Sequence, residues 1–449
     1  MNCYQLLYDG FYDALVNAAL PVLATDKDAE RAFLRLFQCK NAVVLLDFHN
    51  SIEPLIQEAE KGNKFAQYAY ARWQCLDRGG ENSLNISYRN MEAAAEQGLP
   101  DAIAGLAMTY EYGDIGYVNW EKAEELLEKA FAMGSELAGI YKIKNLLYGQ
   151  HYLPAHEEEA AKLANELIAK DEAAKIEPNG WWYYLRACAN EGHMGRTAIT
   201  VSEDYRRALD LGVLDAYSDL IIAAGYGDDG KVLVETKEYM QYMNKGIERL
   251  CAGAMFLDAA REMKRYNTFE DLYKREDGIQ RHTMRYNVLQ QSHELIFTRL
   301  SHAAELADVA AWEQLGDCYY NGDYGFEQDY KKAFAAYSNG TAHDSVGCVE
   351  KLWKMMHDHL IDRELDYVDQ VALWGARWGS KLLLAETVIA HQEGRLEEYD
   401  NEISKYYEPI FDAPEFSLDN DEDWQGVIDD MLGDEDELED DDGRYDAWA

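Results

Sequence analysis

The chain has 449 residues, with 84 acidic against 42 basic side chains and a formal net charge of −42. Binding to nucleic acid rests on Lys and Arg neutralising phosphates, and adsorption to an anionic membrane rests on the same residues, so this balance excludes both as direct ligands. There are seven prolines and none between Pro178 and Pro409, which suits packed helices better than short strands, so the expected class is all-α.

Residues 1–50 read as an N-terminal helical cap. Their short apolar run follows Asp9 and Asp13 and no Lys or Arg, whereas a secretory signal needs a basic leader, so a cytoplasmic protein is expected. No apolar run approaches the length of a membrane span. The seven cysteines are odd in number, scattered and never in a CxxC pair. They read as small buried hydrophobes in a reducing compartment.

Residues 51–256 carry a repeat anchored at Ala66, Ala102, Ala138, Trp181 and Ala216. Counted from an anchor, positions 0, +4 and +8 fall on one helical face, as in Ala102, Leu106 and Tyr110. A glycine near +11, such as Gly113 or Gly149, supplies a left-handed residue that stops the helix. A second glycine stands four residues before the anchor, as in Gly62, Gly98, Gly134 and Gly212. The partner helix of each unit is expected to start at a polar cap followed by an aromatic residue: Ser87-Tyr88, Asn119-Trp120, Asp204-Tyr205 and Asp329-Tyr330.

Residues 257–300 are the most basic part of the chain and keep helical patterning without the glycine grid. They link two arrays, either across a domain break or as irregular helices continuing one array. The second array, 301–410, contains the clearest unit, Ala311, Leu315, Gly316, Tyr319 and Gly322, and a divergent copy at Leu383 between Gly379 and Gly394. Residues 411–449 form a tail with 17 acidic side chains and one arginine, the composition of a self-repelling segment.

The stretch AWEQLGDCYYNGDYGFEQDYKKAFAAYSNG, from Ala311, resembles a Sel1-like repeat, a relative of the tetratricopeptide repeat. The family pattern falls on Ala311, Leu315-Gly316, Tyr319, Gly322, Asp329 and Lys332-Ala333. The resemblance implies an α/α superhelical solenoid of helix-turn-helix repeats that serves as a protein-interaction scaffold. Some secreted members carry a disulfide in each repeat; this chain lacks the paired cysteines for that.

Three motifs resemble chemical sites. Gly225 to Gly230 reads G-x-G-x-x-G, but it follows a helix rather than a strand and places Asp228 and Asp229 where an anion would lie. His357 and His359 stand at i and i+2, which point to different sides of a helix, whereas ligand pairs use i and i+4. Asp419, Asp421 and Asp423 begin like a calcium loop, with Trp424 where that loop needs glycine. No catalytic residue, cofactor or metal site is therefore expected.

Positions near +2, +6 and +9 lie opposite the packing face and can line the concave surface of a solenoid. They hold Tyr68, Arg72, Met108, Lys144, Tyr183, Asp317 and Tyr320, the candidate partner-binding residues. In the tail, Trp424, Ile428 and Met431 share an apolar helical face with Val427 and Leu432, the shape of a helix-in-groove ligand or of a cap on the last repeat. The expected function is a non-enzymatic scaffold that binds another protein or a peptide. The alternative is an acidic inhibitor or immunity-type protein that masks a basic surface of a toxin or nucleic-acid-binding protein. A hydrolase using scattered carboxylates is the weakest reading.

Overall fold

A computed structural model of the chain describes residues 2–76, 83–113, 117–149, 154–191, 198–225, 236–275, 279–399 and 402–403. Among these residues there are 22 α-helices and no strand, so the chain is all-α. None of the described helices is long and apolar enough to cross a membrane. The cysteines are free thiols, and Cys39, Cys251, Cys318 and Cys348 are buried as small hydrophobes.

Two compact units are present, one of Met1–Ile115, Asn119–Arg261 and Glu305–Ala307, the other of Gly116–Val118, Glu262–Ala304 and Asp308–Ala449. Unit 1 begins with α1 (Cys3–Tyr8), α2 (Tyr12–Ala19), α3 (Lys27–Leu36), α4 (Lys40–Val44) and α5 (Glu53–Glu60). Helix pairs follow: α6 (Lys64–Gln74) with α7 (Ser83–Glu96), α8 (Pro100–Tyr112) with α9 (Trp120–Ala132), and α10 (Glu136–Tyr148) with α11 (Glu157–Ala173). Next come α12 (Gly180–Glu191) with α13 (Ala198–Asp210) and α14 (Ala216–Gly225) with α15 (Lys237–Glu248). The boundary between the units falls inside α16 (Ala252–Arg275), within the segment that lacks the glycine grid. Unit 2 contains most of α17 (Ile279–Glu305), then α18 (Val309–Asn321) with α19 (Tyr330–Thr341), α20 (Val346–His357) with α21 (Leu365–Arg377), and α22 (Lys381–Gln392).

Within these pairs each helix packs on the next, and α8–α10, α10–α12 and α18–α20 also touch. First helices of successive pairs thus lie side by side, with their second helices packed against them, the arrangement of an α/α solenoid.

The grid works as a set of helix boundaries. Asn63, Ser135, Asp308, Ser345 and Ser380 each stand three residues before an anchor and accept its backbone N–H, for example Ala138 N to Ser135 Oγ at 3.0 Å and Ala311 N to Asp308 Oδ1 at 2.9 Å. Such caps satisfy donors that the first helical turn leaves open, each contributing about 1 kcal/mol relative to alanine. The residue before each cap is left-handed. It is Gly62, Gly134 and Gly379 in three cases, but Ala307 (φ 66°) and Asp344 (φ 65°) in the others. The repeat anchored at Ala311 keeps its stop at Gly322, whereas the one anchored at Cys348 has His359 (φ 55°) at +11 and so lacks both glycines of the grid.

Two expected caps are interior residues instead. Ser87 lies inside α7, where its Oγ donates to the Ala71 carbonyl at 3.0 Å. Asp204 lies inside α13 and takes both arms of Arg186 at 2.8 and 2.6 Å. Asn119 and Asp329 do cap α9 and α19. At Gly316 side-chain size decides: a Cβ there would stand 2.1 Å from Tyr337 Cε1, so only glycine lets α18 and α19 approach this closely.

The N-terminal helices do more than seal the first pair. Arg35 is almost fully buried and grips Glu136, the first residue of α10, through two 2.8 Å bonds while also donating to the carbonyls of Glu177 and Pro178 at 2.8 and 3.2 Å. Asn179 donates to Gln38 at 2.8 Å and to Glu136 at 2.9 Å. Asn41 exchanges two 3.0 Å bonds with Leu250 O and Ala252 N, and Arg249 donates to Tyr8 O at 2.7 Å. Residues 35–41 therefore run past the starts of α10, α12 and α16. Every one of these buried polar groups gains a partner by doing so.

Candidate functional site

Arg72, Met108 and Lys144 occupy the +6 position of α6, α8 and α10, the first helices of three successive pairs in unit 1. Arg72 is half-buried, donates to Phe37 O at 3.0 Å and bonds the Tyr141 hydroxyl. Met108, from the intervening helix, is buried. Lys144 is half-buried and holds its ammonium 5.3 Å from the centre of the Trp181 ring.

Lys144 is the electrostatic anomaly of this face. Burial is the main cause that pushes its amine down to about 8, and the positive charges of Lys40 and Arg72 add to the effect, against the opposing pull of Asp215 and Cys188. Among the described residues no carboxylate lies within ion-pair distance of it. Burial likewise raises the Asp215 carboxyl, and Lys144 and Lys40 restrain that rise. The charges that act on Lys144 thus include two further cations, in a chain with twice as many acids as bases.

The other candidates lie elsewhere. Tyr68 is completely buried with its ring edge-on to Phe37 at 6.4 Å, so it packs α6 against the N-terminal segment and lines no open surface. Tyr183 turns toward α13, between the guanidinium groups of Arg186 and Arg207 at 5.2 and 5.9 Å. The cause is register: Asn179, not Pro178, opens α12 by accepting the Trp181 N–H, and Trp182 is the deeply buried ring that α10 accommodates at Gly139. Position 183 is therefore one step, not two, past the true anchor.

In unit 2, Asp317 accepts the Tyr337 hydroxyl at 2.7 Å and the Lys351 ammonium at 2.8 and 2.9 Å. Tyr320 leans on Tyr330 at 5.4 Å. Tyr320 is engaged within its own repeat, and Asp317 by its own repeat and the next. Trp424, Ile428 and Met431 lie outside the described residues, as do Tyr226 to Gly230 of the glycine motif. His357 is exposed and stacks on Trp353 at 4.6 Å, and His359 is exposed.

Sequence reasoning missed Lys40, Tyr141, Trp181 and Asp215 as members of the cluster. Lys40 sits in a segment with no repeat pattern, Tyr141 at a packing position, Trp181 at an apparent anchor, and Asp215 before its helix. Only the side-chain types offered a signal. The buried carboxylates serve structure: Asp101, pushed up to about 6 chiefly by burial, accepts Ser135 Oγ at 2.5 Å and Gln38 Nε2 at 3.4 Å.

The chain is similar to solved Sel1-repeat structures. A Sel1 repeat protein from Oxalobacter formigenes is 15% identical with a TM-score of 0.33, covering 77% of this chain and 91% of that one. A protective antigen of uropathogenic Escherichia coli with an SLR fold is 14% identical with a TM-score of 0.31, covering 89% and 85%. No protein-family model and no curated protein sequence matches.

Proposed function

We propose that the chain is a non-enzymatic scaffold that binds another protein, or a peptide segment of it, on the first helices of unit 1. The observation that supports this reading is the strip of first helices that carries Arg72 and Lys144, half-buried cations at the same position of α6 and α10, with the Lys144 ammonium against the Trp181 ring. Stacked helix pairs give such a strip a rigid backing, and arginine beside aromatic rings is enriched where proteins bind one another. A photo-crosslinking residue placed at Lys144, which solvent partly reaches, tests it in the full chain in extract of the native organism, against the same residue at Glu124, an exposed position on α9. A discrete adduct from Lys144 alone, reproduced with the purified adduct protein, is the expected result. Equal adducts from both positions would overturn it.

The charge of −42 favours a second reading, an acidic protein that masks a basic surface. Its signature is a binding constant that collapses with added salt, whereas recognition in the strip loses little.

A further inference from the structure

We propose that residues 424–432 of the chain's own tail fold back as a short helix and cover the exposed side of α21 in unit 2. This inference is separate from the scaffold reading, which concerns unit 1. Tyr367, Trp374 and Trp378, at i, i+7 and i+11, share one side of α21 and its cap. Tyr367 is 38% exposed, the two tryptophans are half-buried, and Leu365 at the helix start is 55% exposed. Aromatic rings left to water on a helix that packs elsewhere against α20 and α22 form a surface that lacks a cover.

The chain's own course leads the tail to this place. Gln370 and Arg377 flank the stripe on the same helix. Gln370 bonds the Tyr399 hydroxyl at 3.4 Å, the Arg377 guanidinium lies 5.7 Å from the centre of the Tyr399 ring, and its two arms hold Glu402 at 2.7 and 2.9 Å with both side chains buried. Residues 402–403 are helical and stand 19 residues after the anchor Leu383, as α19 starts 19 residues after Ala311. They begin the second helix of the last pair. Pro409 stops that helix after about seven residues, whereas α19 has 12 and α21 has 13. A final pair with so short a partner leaves apolar surface that the end of a solenoid must cap.

The tail supplies a matching face. Trp424, Val427, Ile428, Met431 and Leu432 recur at helical spacing. About 20 residues separate Ile403 from Trp424, enough to span roughly 65 Å when extended, and α21 is only about 20 Å long. Such a tether raises the local concentration of the segment to the order of millimolar. A helix made marginal by Gly426 can therefore dock within the chain. The force is apolar. The tail carries 17 acids and one arginine, and Asp362, Glu364 and Asp366 stand exposed at the start of α21, so like charges oppose docking and added salt strengthens it. A second copy of the chain would bring the same repulsion without the tether.

The test places a photo-crosslinking aromatic residue at Trp424 of the purified full chain, with Asp436 as the control position, and maps the products by mass spectrometry. Links from position 424 to residues 365–378 of the same chain are expected, in a yield independent of protein concentration that rises by about twofold from low to high salt. Ile428→Asp in the tail and Tyr367→Ser on α21 should each lower that yield by about fivefold. Tyr367 is exposed, so its replacement leaves α21 in place, and circular dichroism checks each variant. Links mapped to any other element, a yield that falls with salt, a product of doubled mass that grows with concentration, or no excess over position 436 would each overturn the proposal.

Discussion

Lys144 in unit 1 and Lys351 in unit 2 both stand half-buried on first helices of repeat pairs, yet they are held in opposite ways. Lys351 contacts Glu313 at 2.7 Å and Asp317 at 2.8 Å; burial works against its charge, and the two carboxylates outweigh it, holding the amine above its ordinary range. Lys144 lacks such partners and is pushed down to about 8. Sequence distance explains the difference. Asp317 and Lys351 sit one repeat apart, so neighbouring helices meet them, whereas the charges around Lys144 come from positions 40, 72 and 215. A cation matched by the adjacent repeat ties two helix pairs together, and Lys144 has no such carboxylate among the described residues.

The contrast can be broken most forcefully at Arg35, the best-held cation of unit 1. Arg35→Met leaves Glu136 buried without its partner, and urea unfolding should show a loss of about 3–5 kcal/mol; a loss below 1 kcal/mol would mean that the N-terminal segment is not fastened to the array as described. In unit 2, Asp317→Ala deprives the buried Tyr337 hydroxyl of its acceptor and Lys351 of one carboxylate. Solvent reaches Asp317, so the expected cost is smaller, roughly 1–2 kcal/mol.

Lys144→Met sharpens the comparison because its sign is reversed. Removing a desolvated, unpaired ammonium should stabilise unit 1 by on the order of 1 kcal/mol at pH 7. The pH dependence follows from the depressed amine, about 8 in the folded chain against 10.5 ordinarily. Between those values the unfolded chain binds more protons, so wild-type stability rises relative to Lys144→Met as pH climbs through that window. Thermal melts of both proteins from pH 7 to 10 would show the gap closing; a constant gap would remove Lys144 as its cause.

Much of the fold was legible in residues. The anchors, the stops at Gly113, Gly149 and Gly322, and the caps at Asn119 and Asp329 all depend on contacts within a few positions along the chain. Where Asp344 and His359 replace both glycines, the same backbone conformation arises from atypical residues, and the repeat at Cys348 leaves no glycine pattern in the sequence. Ser87 and Asp204 looked like caps because residue type alone cannot separate a helix start from a helix interior that bonds a neighbouring helix.

The sequence by itself determined where many of the first helices begin and end, and that they pair with a second helix, since helical periodicity is local and survives divergence. Tertiary structure alone decided what surrounds the residues opposite the packing face. It buried Tyr68 under Phe37, turned Tyr183 toward α13, bound Asp317 to Tyr337 and Lys351, and surrounded Lys144 with charges from distant segments. Electrostatic partnership depends on distance in space and on loss of water, and neither is written in the order of residues along a helix.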